Sequence, residues 1–380
     1  MREVSLQAPF PWFGGKRRVA HEVWARFGDV PNYVEPFAGS LAVLLGRPDS
    51  HAAKIETVND LDGFIANFWR SVATDPSETA AWADWPVIEA DLNARHVWLV
   101  SQRETLLRKL EGDPDFYDPK IAGWWVAGVC GWIGGGYCSG EGPWVVRDSE
   151  LVDRRLADAA EHLPVDPDDL SNAGQGINRQ MPHLGDAGRG INRQMPHLGD
   201  AGRGINRKMP HLGDAGQGIN RKMPHLGDAG QGIETWFIAL AERLRRVRVT
   251  SGGWERVVSE SVTTRHGITG LFLDPPYGDD VEQTRVYATD SGTVSNAVRS
   301  WCLEHGNDSL LRIALCGYEG EGHDVLLDYG WTAHAWRTAG GYGGGRGGTG
   351  EANRHKERIY FSPACIAEDG GLFDLLEEGA

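Results

Sequence analysis

The 380-residue chain holds only five cysteines, at 130, 138, 302, 316 and 365, with no CxxC pair or other metal-ligand spacing among them. That scarcity suits a reduced setting. Cys130 and Cys138 admit a disulfide or half a metal site, although two buried free thiols are the simpler account. No apolar run approaches the roughly 20 residues a bilayer requires, and no basic-plus-apolar leader opens the chain, so a cytoplasmic protein is expected. Positive charge is also in deficit: 38 Lys and Arg stand against 53 Asp and Glu, a net charge of −15. Neutralising phosphates normally takes Lys and Arg, so this balance opposes a nucleic-acid partner.

The distribution of charge softens that exclusion. Acids concentrate between Asp84 and Asp169 and in the tail from Glu368 to Glu378. Basic residues gather at Lys16–Arg18, at Arg243 to Arg248, and around Arg346, Arg354, Lys356 and Arg358. Each cluster alone is consistent with a solvated face. A folded sheet could still bring them to one side.

The most informative segment is Gly270-Leu-Phe-Leu-Asp274-Pro275-Pro276-Tyr277. Two prolines cannot continue a strand, since neither has a backbone N–H and each restricts the residue before it. A strand over Gly270–Leu273 must therefore end in a stiff loop, at the edge where open α/β sheets bind ligands. There Asp274 and the Pro275 carbonyl can accept hydrogen bonds from an exocyclic amine, and Tyr277 offers a ring for stacking. A plain Pro-Pro turn with a surface aspartate explains the segment equally well when it is read alone.

Three other segments break the tie. Asn32-Tyr-Val-Glu35-Pro36-Phe37-Ala38-Gly39-Ser40 reads as strand, tight turn, then helix, with small residues that let a ligand approach the backbone. This turn is not GxGxxG, so a dinucleotide site is not indicated. Ile55 to Asp60 reads as a second strand ending in an acid, the usual partner of ribose hydroxyls in nucleoside-binding α/β units. Upstream, Trp12-Phe-Gly14-Gly-Lys16 combines a double glycine with a cation and opens a basic helix over Arg17–Phe27.

In this order the four segments resemble the Dam-type DNA adenine-N6 methyltransferases, over roughly residues 8–75 and 235–362. The resemblance implies S-adenosylmethionine as methyl donor, contacted by Trp12, Gly14, Lys16, Glu35, Phe37, Gly39, Asp60 and Asp274. It implies double-stranded DNA as partner, with Asp274, Pro275, Pro276 and Tyr277 forming the catalytic loop that holds the target adenine. No metal is implied. The chain departs from the family at Ser251-Gly252-Gly253-Trp254, where a glycine replaces the acid that often contacts the cofactor's adenine. The turn after Phe37 is also thinner in glycine than in many relatives. RNA adenine or cytosine-N4 methylation, and a non-catalytic DNA-binding protein, stand as alternatives. Asp at 274 leans toward adenine, and away from protein glutamine methylation, which usually carries Asn there. A Pro-Cys nucleophile is missing, in keeping with direct transfer without a covalent adduct.

The fold class expected is α/β: a Rossmann-like methyltransferase core with a mostly parallel sheet, interrupted by a mostly helical recognition domain and a low-complexity repeat. The core takes residues 1–75 and 234–380, the recognition domain 76–170 and the repeat 171–233. Strands are predicted at Tyr33–Glu35, Lys54–Val58, Val247–Ser251, Gly270–Leu273, Leu311–Leu315 and Glu357–Ser362. The tryptophan-rich region is helical up to Gly131; Trp132 or Tyr137 could wedge beside an extruded base, although core packing is the simpler role. From Ile177 a 14-residue unit occurs four times, with one proline and three glycines per unit, which excludes a continuous helix. Its four histidines (183, 197, 211, 225) suggest metal less than duplication of a surface loop. Gly340–Gly350 is a second low-complexity stretch, expected between two C-terminal strands.

Overall fold

The computed structural model describes residues 6–12, 16–51, 55–85, 88–132, 137–138, 144–147, 150–153, 229–276, 291–336 and 357–367. Seven strands form one sheet: β1 (Asn32–Glu35), β2 (Ile55–Asp60), β5 (Val247–Ser251), β6 (Thr269–Leu273), β7 (Leu311–Tyr318), β8 (Thr332–Ala335) and β9 (Glu357–Phe361). Their order is β5-β2-β1-β6-β7-β9-β8. The first five run parallel, whereas β9 is antiparallel to both β7 and β8. All six predicted strands are present with small shifts at their ends, and β8 is added. A separate hairpin pairs β3 (Trp144–Arg147) with β4 (Glu150–Asp153).

Strands β1 and β6 sit at the centre, and every residue of both is buried. A parallel sheet covered on both faces needs this kind of continuous apolar run rather than alternation. Gly270 is required for close packing, because a Cβ there would lie 2.9 Å from the Phe27 ring. That ring belongs to α1 (Ala20–Phe27) and is buried in the core. Strand order reverses between β1 and β6, and a crevice forms at such a reversal outside the carboxyl ends of the strands.

One face is covered by α3 (Gly63–Thr74), α4 (Pro76–Ala83), α6 (Pro119–Gly131) and α7 (Ala229–Leu244), with the long α5 (Glu89–Gly112) beside them. Phe10 anchors the N-terminal segment in this layer, 5.4 Å from Phe68 and 5.1 Å from Trp125, both edge-on. The other face carries α8 (Ser291–His305) over Val34, Leu271, Leu273 and Ile313. Helices α4 to α6 thus share the core of the sheet's first face. Trp132 and Tyr137 are buried against His96, the Trp132 ring stacked on the imidazole at 4.9 Å, which favours their reading as core.

Helix α7 begins at Ala229, inside the stretch 171–233 assigned from sequence to the repeat. The rest of the repeat lies outside the described residues, as does Gly340–Gly350. Arg243 of α7 grips Glu56 of β2 through both guanidinium arms, at 2.7 and 2.8 Å, and Arg47 approaches the same carboxylate at 3.3 Å. These pairs fasten the returning chain to the sheet. All five cysteines are free, so the disulfide reading of Cys130 and Cys138 falls. Among the described residues no His, Cys, Asp and Glu group could hold a metal, and no helix is long and apolar enough to cross a membrane.

Candidate active site

The turn after β1 is built by hydrogen bonds from β2. Asn59 donates to the Pro36 carbonyl at 3.1 Å and to the Gly252 carbonyl at 2.8 Å, tying three strand ends together. Asp60 accepts from the Gly39 N–H and from the Asp62 N–H, each at 2.9 Å. Trp69 donates its indole N–H to the Gly39 carbonyl at 2.9 Å. Gly39 has φ +44°, and a Cβ on it would meet the Trp12 indole nitrogen at 2.5 Å. Leu41 is also left-handed at φ 53°, a conformation that costs a side-chain-bearing residue of order 1–3 kcal/mol. Its complete burial holds it there.

Across the strand reversal, Asp274 follows β6, half-exposed, with buried Pro275 after it. Lys16 reaches Asp274 Oδ1 at 3.0 Å and Glu357 Oε2 at 3.7 Å, and lies 5.7 Å from the Trp336 ring. The Lys16 side chain is only 4% exposed, so burial by itself would favour the neutral amine. Asp274 and Glu357 together outweigh that and raise its pKa, keeping the ammonium charged.

Glu35, at the carboxyl end of β1, is buried, and burial lifts its carboxyl to about 8. The Tyr33 hydroxyl, donating at 2.9 Å, and the Leu44 N–H oppose the rise, whereas Asp274 and Glu56 add to it. Asp60 is likewise lifted to about 7, mainly by burial, against the pull of its backbone donors.

Trp12, Lys16, Glu35, Phe37 and Asp274 line one cleft together with Ala38, Ser40, Ala42 and Phe272. Gly39 and Asp60 are not among the lining residues and bond to each other in the adjoining turn. Gly14 and Tyr277 lie outside the described residues, and Pro276 follows half-buried. Lys16, expected at a cofactor, lines the cleft and pairs with two carboxylates of the protein. At the departure from the family pattern, a Cβ on Gly253 would lie 2.6 Å from Glu255 Oε2. Trp254 stacks on Phe37 at 6.3 Å. Glu357 is the residue that sequence reasoning missed. The available signal was an acid opening the apolar run Glu357-Arg-Ile-Tyr-Phe361, where burial of a charge demands a partner.

A doubly wound α/β core with acids and one lysine at its strand reversal is compatible with the Rossmann-like methyltransferase fold. Residues 12–98 match the model of the D12 class N6 adenine-specific DNA methyltransferase family, a family of enzymes. The matched stretch runs from Trp12 through the Pro36–Ser40 turn and Asp60 into α5. No curated protein matches the chain.

Proposed function

We propose that this protein transfers a methyl group from S-adenosylmethionine to the exocyclic N6 of adenine at a specific site in double-stranded DNA. The observation that carries this reading is the meeting, in one cleft, of Asp274 with Trp12, Lys16, Glu35 and Phe37, four residues of the segment matched by the family.

The cleft suits a cationic nucleoside. Glu35 and Asp60 are carboxyls whose ionised form burial disfavours, and a nearby cation would stabilise that form. With no side chain at Gly39, the Trp12 indole packs directly on the turn backbone and sets one edge of the cleft. S-adenosylmethionine, when bound, supplies the methyl group on a sulfonium. Glu35 and Asp60 would hold its charged and ribose portions, and Phe37 with Trp254 would flank its base.

Asp274 and the Pro275 carbonyl would accept hydrogen bonds from the adenine amine and aim its lone pair at the methyl carbon. Transfer would form the carbon–nitrogen bond as the carbon–sulfur bond breaks, leaving the cofactor as a neutral thioether, and the proton given up by the amine would pass to solvent. Held orientation, rather than a covalent adduct, supplies the acceleration. Lys16 keeps the Asp274 carboxylate in one rotamer through the 3.0 Å contact. Adenine reaches the loop by leaving the duplex stack, which costs a few kcal/mol; Tyr277 would stack on it. The region 76–170, with the β3–β4 hairpin, is the proposed reader of sequence, and the repeat an insertion outside the core.

Tritiated methyl transfer to double-stranded DNA, RNA and protein, followed by nucleoside digestion, tests the reading. Label in N6-methyladenine of DNA is expected. Label in RNA, in N4-methylcytosine or in protein would replace it.

A further inference from the structure

Glu357 opens β9 far from the segments that define the cleft in sequence, yet it faces the cleft's lysine. Its backbone is pinned on two sides: it pairs with Tyr318 across β7, and its carbonyl accepts from the Trp336 N–H at 3.3 Å. The side chain is 4% exposed. Burial raises its carboxyl pKa, and Lys16 at 3.7 Å pulls it back. A buried carboxylate costs several kcal/mol unless it is paired, so a role confined to folding would favour an apolar residue at this position.

We propose that Glu357 is a positioning residue for the methyl-transfer centre, holding the Lys16 ammonium at one oxygen of Asp274 and offsetting part of its charge. This rests on the proposed methyl transfer. Among the described residues, Lys16 has two carboxylates within 4 Å, so its position is set between them rather than by Asp274 alone. Without Glu357, more of the charge of Lys16 would act on Asp274 and weaken it as an acceptor for the amine. The other groups facing this set are Glu35 from β1, the Cys316 thiol from β7 and the Trp336 ring. The thiol is held neutral by burial, so Glu35 is the remaining acid at the centre.

The test is Glu357→Gln, which keeps shape and removes charge, measured on double-stranded DNA beside the unaltered chain. The turnover rate should fall about 10- to 100-fold, with the dissociation constant of S-adenosylmethionine unchanged. The acid limb of the rate profile should move to lower pH, because one negative charge at the centre is gone. Glu357→Asp, which keeps the charge, should restore the limb and most of the rate. A urea-denaturation cycle of Glu357→Gln with Lys16→Met should be non-additive, since neutralising one partner strands the other. Unaltered turnover in folded Glu357→Gln, or an equal loss in Glu357→Asp and Glu357→Gln with no change in pH profile, overturns the proposal. An unaltered chain that methylates no DNA overturns the methyl-transfer reading and this one together, whereas the former results leave methyl transfer standing.

Discussion

Asp274 and Asp60 are both acids at strand ends, but their surroundings give them different work. Asp274 is half-exposed and faces Lys16, whereas Asp60 spends both oxygens on backbone N–H groups. Asp274→Ala is therefore expected to lower methyl transfer by roughly 10²–10³-fold or more while the cofactor still binds; Lys16 keeps Glu357 as a partner, so the fold survives. Single-turnover assays beside calorimetric titration would show the split, and near-normal turnover would remove Asp274 from the centre. Asp60→Ala should weaken cofactor binding by about 1.5–3 kcal/mol and also lower the melting temperature, because Gly39 and Asp62 lose their acceptor. Unchanged affinity in calorimetry would move the cofactor away from this turn. Glu35 sets a third expectation. Its folded pKa of about 8 lies above the ordinary carboxyl value of 4.5, so the folded state binds the extra proton between those limits. Stability without cofactor should thus fall as pH rises from about 5 to 8, by at most about 1.4 kcal/mol per unit for this group. Thermal melts of the unaltered chain and Glu35→Gln would check it: the variant's dependence should be flatter, and parallel curves would deny Glu35 the shift.

At the scale of elements, the cleft exists because β1 and β6 are neighbours while the chain leaves them in opposite directions across the sheet. The turn after β1 is fixed from outside itself, through Asn59, Asp60 and Trp69. The antiparallel β9, inserted between β7 and β8, is what carries Glu357 to Lys16. Helices α3, α4, α6 and α7 bury the aromatic layer in which Phe10 is embedded, and so place Trp12 against Gly39.

For the whole molecule, the repeat is expected to be dispensable for chemistry. Its units are short of apolar residues, and α7, starting at Ala229, reattaches the chain through Arg243 and Glu56 without them. Deleting Ile191 through Gly218 removes two whole units and should leave folding and methyl transfer intact. Each unit carries about one net positive charge, so the deletion should weaken DNA binding modestly and flatten its salt dependence. Aggregated protein, or complete loss of activity, would make the repeat structural or catalytic.

Local chemistry was enough to read several features from the chain. Asp274-Pro275-Pro276 had to end a strand, small residues had to make the turn after Glu35, and apolar runs had to lie in a buried sheet; each follows from backbone constraints within a few residues. The six predicted strands were legible for that reason, whereas β8, Thr332–Ala335, is mostly exposed and carries too little apolar signal. Tertiary structure alone decided the rest. Sequence order could not show that Lys16, Asp274 and Glu357, spread over more than 340 residues, share one charge cluster. It could not show that Asp60 is occupied with the Gly39 turn, or that α4 to α6 pack into the core of the sheet. Those are long-range pairings, set by which strands lie side by side and by the need of every buried charge for a partner.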